Sequence, residues 1–214
     1  MKQPRVFFYY SVPNHQHHKD ILLPKLEKDK ERGYGHGDKC EETIDSEEEV
    51  YRHVNGTCIT TGGMDNVHLF HKEFVNDVLW NSIHHMVKDY NTSTNKDKIQ
   101  TAKITDIWWN YYEPNHTCTA HRHNGRDFSG VYLLHLEEPN PTMFVPLDNE
   151  ANKMPVSVVK ESIENGTFDG AVSTDECREG DVIIFPGMTT HWTTPIVTPR
   201  WVVVFDINVT WTTS

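Results

Sequence analysis

The sequence predicts a mainly β domain, a sandwich or barrel buttressed by helix. Three observations carry this. One long segment repeats apolar residues at helical spacing. From about residue 100 the chain then breaks into short β-branched and aromatic runs, and Gly, Pro, Asn and Asp separate those runs. With 214 residues the natural expectation is a single domain, 1–214. Hydrophobic residues make up 36% and aromatics 11%, enough for one core and too aromatic for a disordered chain.

Taken in order, "RVFFYYSV" (5–12) is short and β-rich and reads as a strand. "KDILLPKLEKDKERGYGHG" (19–37) holds a short helix that Pro24 should break and the glycines should end. Residues 33–66 are polar, acidic and glycine-punctuated and read as a long loop, so 1–66 as a whole is a terminal strand and helix followed by an acidic excursion. Then Leu69, Phe70, Phe74, Val78, Leu79, Ile83, Met86 and Val87 recur at helical spacing, giving a supporting helix over 67–90 capped by Asp65 or Asn66. His84 and His85 decorate its surface. The β core is expected over 100–210, with strands at 99–112, 128–136, 142–147, 156–159, 181–187 and 200–211.

Composition excludes several classes. The net charge is −11, with much of the acid in residues 40–50, so a basic nucleic-acid-binding face is not expected. Cys40, Cys58, Cys118 and Cys177 are scattered and form no CxxC pair, which argues against a zinc ribbon or a disulfide scaffold and for reduced thiols. No stretch approaches a membrane span, and the N-terminus lacks the apolar core of a signal peptide. A cytoplasmic protein follows, with the N-x-S/T triplets at 55–57 and 115–117 incidental.

The chemistry concentrates in "AHRHNGRDFSGVYLLHL" (120–136). His121 and His123 stand at i and i+2, so on a straight strand both imidazoles project from one face. Such a pair suits Fe, Zn, Cu or Ni. A third candidate is His191, presented just after the strand and turn of "GDVIIFPG" (180–187). Nine residues on, Arg200 opens the last long run. Alternation there puts Arg200, Val202, Val204 and Asp206 on one face and Trp201, Val203, Phe205 and Ile207 on the other. A lone guanidinium among valines wants a carboxylate, which an acidic ligand would supply bidentately.

The ordered set "W-x-N-x-Y" (108–112), "H-R-H" (121–123), "SGVY" (129–132), "GDVIIFPG" (180–187), His191 and "R…FDIN" (200–208) resembles the 2-oxoglutarate/Fe(II)-dependent oxygenases. More narrowly it is similar to a prolyl-hydroxylase-like group common in marine bacteria and phages; the likeness spans about 66–209. The resemblance implies a double-stranded β-helix (jelly-roll, cupin-like) with helical buttressing, Fe(II) as metal and 2-oxoglutarate as cosubstrate. It implies His121 and His191 as iron ligands and Arg200 as partner of the cosubstrate's distal carboxylate. Tyr112 matches a tyrosine that hydrogen-bonds the cosubstrate, with Tyr111 its competitor by one residue of register. Two departures stand out: Leu133 where relatives often carry a tyrosine, and His123 where they carry the carboxylate ligand. Three outcomes compete at the latter position. His123 itself ligates, giving a three-histidine face, which needs no backbone contortion; Asp127 curls back past Gly125 to supply the carboxylate; or the position stays open. The implied activity is hydroxylation of a peptidyl or small-molecule C–H, in the host cytoplasm if the protein is phage-encoded. The alternatives are a three-histidine cupin-type iron dioxygenase that uses no 2-oxoglutarate, and a non-catalytic metal-binding jelly-roll module.

Overall fold

The structure, a computed structural model, describes residues 7–31, 59–60, 70–93, 97–138, 142–146, 148–174 and 176–212. The acidic loop expected over 33–66 lies outside them apart from residues 59–60, as do Leu69 and the expected caps Asp65 and Asn66. Nine strands are described: β1 (Phe8–Ser11), β2 (Ile59–Thr60), β3 (Ile99–Tyr112), β4 (Phe128–Leu136), β5 (Thr142–Phe144), β6 (Val172–Ser173), β7 (Asp181–Pro186), β8 (His191–Thr193) and β9 (Arg200–Trp211). They form a six-stranded sheet, order β1-β7-β4-β9-β3-β2, and a three-stranded sheet, order β6-β5-β8. Every pairing in both sheets is antiparallel.

Period-two alternation sorts the large sheet into two faces. From β9, Trp201, Val203, Phe205 and Ile207 join one core, together with Phe128 and Tyr132 of β4 and Val182 and Ile184 of β7. Val202 and Val204 join the other, with Trp108, Tyr112, Val131, Ile183 and Phe185. The first core is closed by helices. Helix α1 (His15–Glu31) lays Leu22 and Leu26 on it. A longer helical run, α2, lies in three pieces, Lys72–Phe74, Val75–Trp80 and Asn81–Ser93, the middle one wound as a π-helix. It contributes Phe74, Val78, Leu79, Ile83 and Met86. These are the residues whose spacing predicts the supporting helix, and His84 and His85 are exposed as expected. The second core faces the small sheet, where Phe144 packs edge-on against Phe185 at 4.9 Å between centroids.

Gly130 shows how tight the helix-side packing is. A Cβ built there would run into the outer edge of the Phe205 ring, so a glycine is required for that ring to approach β4.

Two local expectations fail for physical reasons. Pro24 does not break α1, which runs through it. Pro24 sits on the exposed face, so the carbonyl it leaves without a donor is open to solvent, while Leu22 and Leu26 hold the buried face. The run 156–159 is not a strand but the start of helix α3 (Val156–Glu164). Val156, Val159 and Ile163 recur at helical spacing, and Val159 is buried in a small cluster with Ala120, Val145, Ala151 and Trp192. The β-branched composition was the weaker signal; the period decided.

Candidate metal centre and active site

Strand β8 of the small sheet begins at His191. A single antiparallel bridge brings His121 beside it, through His121 N–H to His191 O at 3.0 Å and His191 N–H to His121 O at 3.1 Å. The chain leaves this bridge at once. His123 N–H donates to Gly187 O at 2.8 Å, and a turn through Gly125 (φ 78°) leads into β4. So the histidine pair does not ride a regular strand. One bridge and one turn still turn both rings inward. The backbone at Gly187 is close-packed here: a Cβ on it would meet the carbonyl oxygens of Arg126 and His123.

His121, His123 and His191 converge, each offering one ring nitrogen, and those nitrogens lie within 4.8 Å of one another. Ring centroids are 5.4 Å apart for 121–123, 4.2 Å for 121–191 and 5.1 Å for 123–191. The other nitrogen of each ring is already engaged. Nδ1 of His121 meets Thr119 O at 2.8 Å, and Nδ1 of His191 meets Thr189 O at 3.0 Å. A carbonyl accepts only, so both rings carry hydrogen on Nδ1 and present the Nε2 lone pair. His123 Nδ1 lies 2.8 Å from Asp206 Oδ1 and 3.1 Å from Ser129 Oγ. Burial holds the His121 pKa below the ordinary imidazole value, outweighing the Thr119 carbonyl and Asp206, which raise it. Neutral imidazoles aimed at one point are the donor set a divalent transition metal takes, so the residues fit the iron that the sequence pattern implies. Nothing about this set requires 2-oxoglutarate by itself.

Asp127 is elsewhere. Its carboxylate accepts from Val209 N–H at 2.8 Å, its own N–H donates to Ile207 O, and the residue is exposed. The turn that would have curled it inward instead ties it to the end of β9.

The three histidines line a cavity of about 440 Å³, counting the space open to solvent at its mouth. Arg200 lies at another part of its wall, 1% exposed, with Nη2 donating to Thr142 Oγ1 at 3.1 Å and the guanidinium 5.6 Å from the Tyr112 ring. Burial draws its pKa below the usual guanidinium value, against Tyr112, Cys118 and Cys177, which raise it. Tyr112 pairs with Arg200 across β3 and β9 and faces the cavity. Tyr111 points the other way, its ring tilted against Trp201 at 4.6 Å between centroids, with Lys30 Nζ 3.6 Å from its ring centre. Register therefore brings Tyr112, and not Tyr111, to Arg200. The sequence motif "W-x-N-x-Y" contained two further lining residues, Trp108 and Asn110, without a role for either. Trp108 stacks on His123 at 5.7 Å, and Asn110 donates to Tyr112 OH at 3.3 Å. Both share the β3 face of Tyr112 by alternation, so that signal was present. Thr142 carried none.

Two facing antiparallel sheets with three imidazoles converging at one part of the cavity between them define a double-stranded β-helix with a candidate metal centre. Residues 106–206, which carry every candidate ligand and Arg200, match the family model described as "Putative 2OG-Fe(II) oxygenase", so this stretch is similar to the 2-oxoglutarate/Fe(II)-dependent oxygenases. Solved structures agree on the fold. A prolyl hydroxylase from Trichoplax adhaerens, in complex with a peptide fragment of the hypoxia inducible factor oxygen degradation domain, is 11% identical with a TM-score of 0.58, covering 95% of this chain and 83% of its own. HygX from Streptomyces hygroscopicus, with nickel and 2-oxoglutarate bound, is 13% identical with a TM-score of 0.58, covering 97% and 84%. The viral collagen prolyl hydroxylase of Paramecium Bursaria Chlorella virus-1, in its 2OG complex, is 11% identical with a TM-score of 0.52, covering 94% of each. No curated protein matches in sequence. Among the described residues no helix is long and apolar enough to cross a membrane.

Proposed function

We propose that this protein is a 2-oxoglutarate- and O₂-dependent oxygenase that hydroxylates a peptidyl or small-molecule C–H. His121, His123 and His191 hold Fe(II) through Nε2, and Arg200 binds the distal carboxylate of 2-oxoglutarate with Tyr112 and Thr142 beside it. One observation carries the reading: a single cavity holds three inward imidazoles and a buried guanidinium. When bound, iron with a 2-oxo acid and O₂ supplies the oxidation that replaces C–H by C–OH, releasing succinate and CO₂. The chain's own work is to hold the metal on neutral nitrogens, fix the cosubstrate by a charge-assisted pair, and keep water from the site. The apolar wall between the two ends, Val131, Val202 and Val204, keeps that pair in a poorly screened environment.

The acidic stretch 33–66 and the insert 146–175, which carries α3, are the candidate lids. In the insert, Val159 shares a buried cluster with Trp192, and Trp192 is part of the cavity wall. Motion of α3 would thus reach the substrate side directly. The substrate class rests on analogy with the prolyl hydroxylases among the structural neighbours. A cytoplasmic setting, with no membrane or nucleic-acid partner, accords with the charge and the cysteines.

The test is anaerobic. Protein loaded with Fe(II) should develop a weak visible charge-transfer band on adding 2-oxoglutarate, and should convert it to succinate in the presence of O₂. A second reading is favoured by one feature, the imidazole at the usual carboxylate position: a three-histidine dioxygenase that needs no 2-oxo acid. Under that reading iron binds, no band appears, and succinate is not formed.

A further inference from the structure

We infer that Asp206 is a positioning residue of the metal centre, which fixes the His123 ring and supplies, one imidazole away, the negative charge that the three-histidine set lacks. The inference rests on the assignment of the three histidines as ligands.

The three rings are not supported alike. His121 and His191 each donate Nδ1–H to a neutral carbonyl two residues back in the chain, Thr119 and Thr189. His123 is turned toward a carboxylate brought from β9, with Nδ1 2.8 Å from Asp206 Oδ1. Both side chains are buried, 6% and 8% exposed. Ser129, which pairs with Asp206 across β4 and β9, donates Oγ–H to the same Oδ1 at 2.8 Å. That oxygen is therefore committed to two donors. The ring takes the Nδ1–H tautomer with Nε2 toward the other two histidines. Trp108 stacks on its face and Phe185 stands at its edge, so the ring plane is held as well.

Arg126 does not cancel the charge. Its Nε lies 3.4 Å from Asp206 Oδ2, while its Nη2 pairs with Asp106. One guanidinium between two carboxylates leaves the group with a formal charge of −1. That group sits directly behind His123, on the side away from the cavity. A ligand imidazole that donates its outer N–H to a carboxylate is a more basic ligand, and losing such an outer partner weakens metal affinity about 10- to 100-fold.

The experiment titrates Co(II) into the metal-free protein without 2-oxoglutarate, following the visible bands. Asp206→Asn keeps an acceptor of the same shape and removes the charge; Asp206→Ala removes both. Both should bind Co(II) about 10- to 100-fold more weakly than wild type. Binding by Asp206→Asn within threefold of wild type overturns the inference, since orientation alone then suffices. Folding of the variants is followed by thermal melting of the metal-free proteins, a quantity a purely structural role would move without changing Co(II) affinity. Independently of any variant, nitrogen-15 spectra of the wild-type metal-free protein should show His123 protonated on Nδ1. An Nε2–H tautomer there overturns the inference too. A wild-type protein that binds Co(II) tightly but never responds to 2-oxoglutarate refutes the proposed activity and leaves the role of Asp206 standing.

Discussion

Replacing Arg200 by alanine removes the one buried guanidinium or ammonium group that lines the cavity among the described residues. The guanidinium donates to Thr142 Oγ1 at 3.1 Å and approaches Tyr112 at 5.6 Å. A buried, hydrogen-bonded charge pair between ligand and protein costs about 2–5 kcal/mol when one partner is truncated. That corresponds to a loss in 2-oxoglutarate affinity of roughly 30-fold to several thousand-fold. The upper half of the range is expected, because valines surround the pair and screening is poor. Arg200→Lys keeps the charge but not the planar fork, and should lose about tenfold, consistent with one rather than two donors aimed at the carboxylate. The assay is calorimetric titration of 2-oxoglutarate into protein loaded with Ni(II), with Ni(II) affinity measured separately. Metal binding should be unchanged, since Arg200 is not one of the three candidate ligands. If Arg200→Ala binds 2-oxoglutarate within threefold of wild type, the cosubstrate assignment fails and the three-histidine dioxygenase without a 2-oxo acid becomes the better reading.

Metal content should separate the two candidates for the third ligand: His123→Ala loses bound metal and Asp127→Ala retains it, and the reverse pattern would reinstate a two-histidine, one-carboxylate site. Glu179 ties α1 to the sheet; burial alone would raise its pKa, but Lys19, the Leu136 N–H, His135 and His15 together hold it at about 2, below the ordinary 4.5. Because the folded-state value is depressed, its contribution is present above about pH 4.5 and fades as pH falls toward 2. Urea unfolding of the metal-free protein should therefore show Glu179→Gln less stable than wild type by up to about 3 kcal/mol near neutrality, before discounting for its partial exposure, with the gap closing across that window; a gap that does not change with pH removes the argument. Gly130→Ala forces a methyl into the Phe205 ring and should cost about 1–3 kcal/mol or more, a drop of several degrees in Tm; a Tm within a degree of wild type would mean the ring has room to move.

What the sequence made legible, and what it hid, divides along one physical line: local periodicity against contact between strands. Alternation along β9 correctly separated Arg200, Val202, Val204 and Asp206 from Trp201, Val203, Phe205 and Ile207, because a strand's two faces are fixed by backbone geometry whatever it pairs with. Helical spacing found α2 for the same reason. Where composition was allowed to outvote period, at Val156–Val159, the reading failed. Pairing is different, since nothing in the local sequence says that Ser129 lies opposite Asp206, that His121 bridges to His191, or that Thr142 reaches Arg200. His123 is where the two kinds of information meet. Read along the chain, it is a histidine in place of a carboxylate, and the natural search is for an acid a few residues away, such as Asp127. In the fold, Asp127 caps the end of β9 at Val209, and the acid that meets His123 comes from 83 residues downstream. It had already been assigned to the cavity face by alternation, next to Arg200. The missing step was register: six residues along β9 from Arg200 carry the chain roughly 20 Å, from the cosubstrate's expected anchor to the back of the histidine cluster.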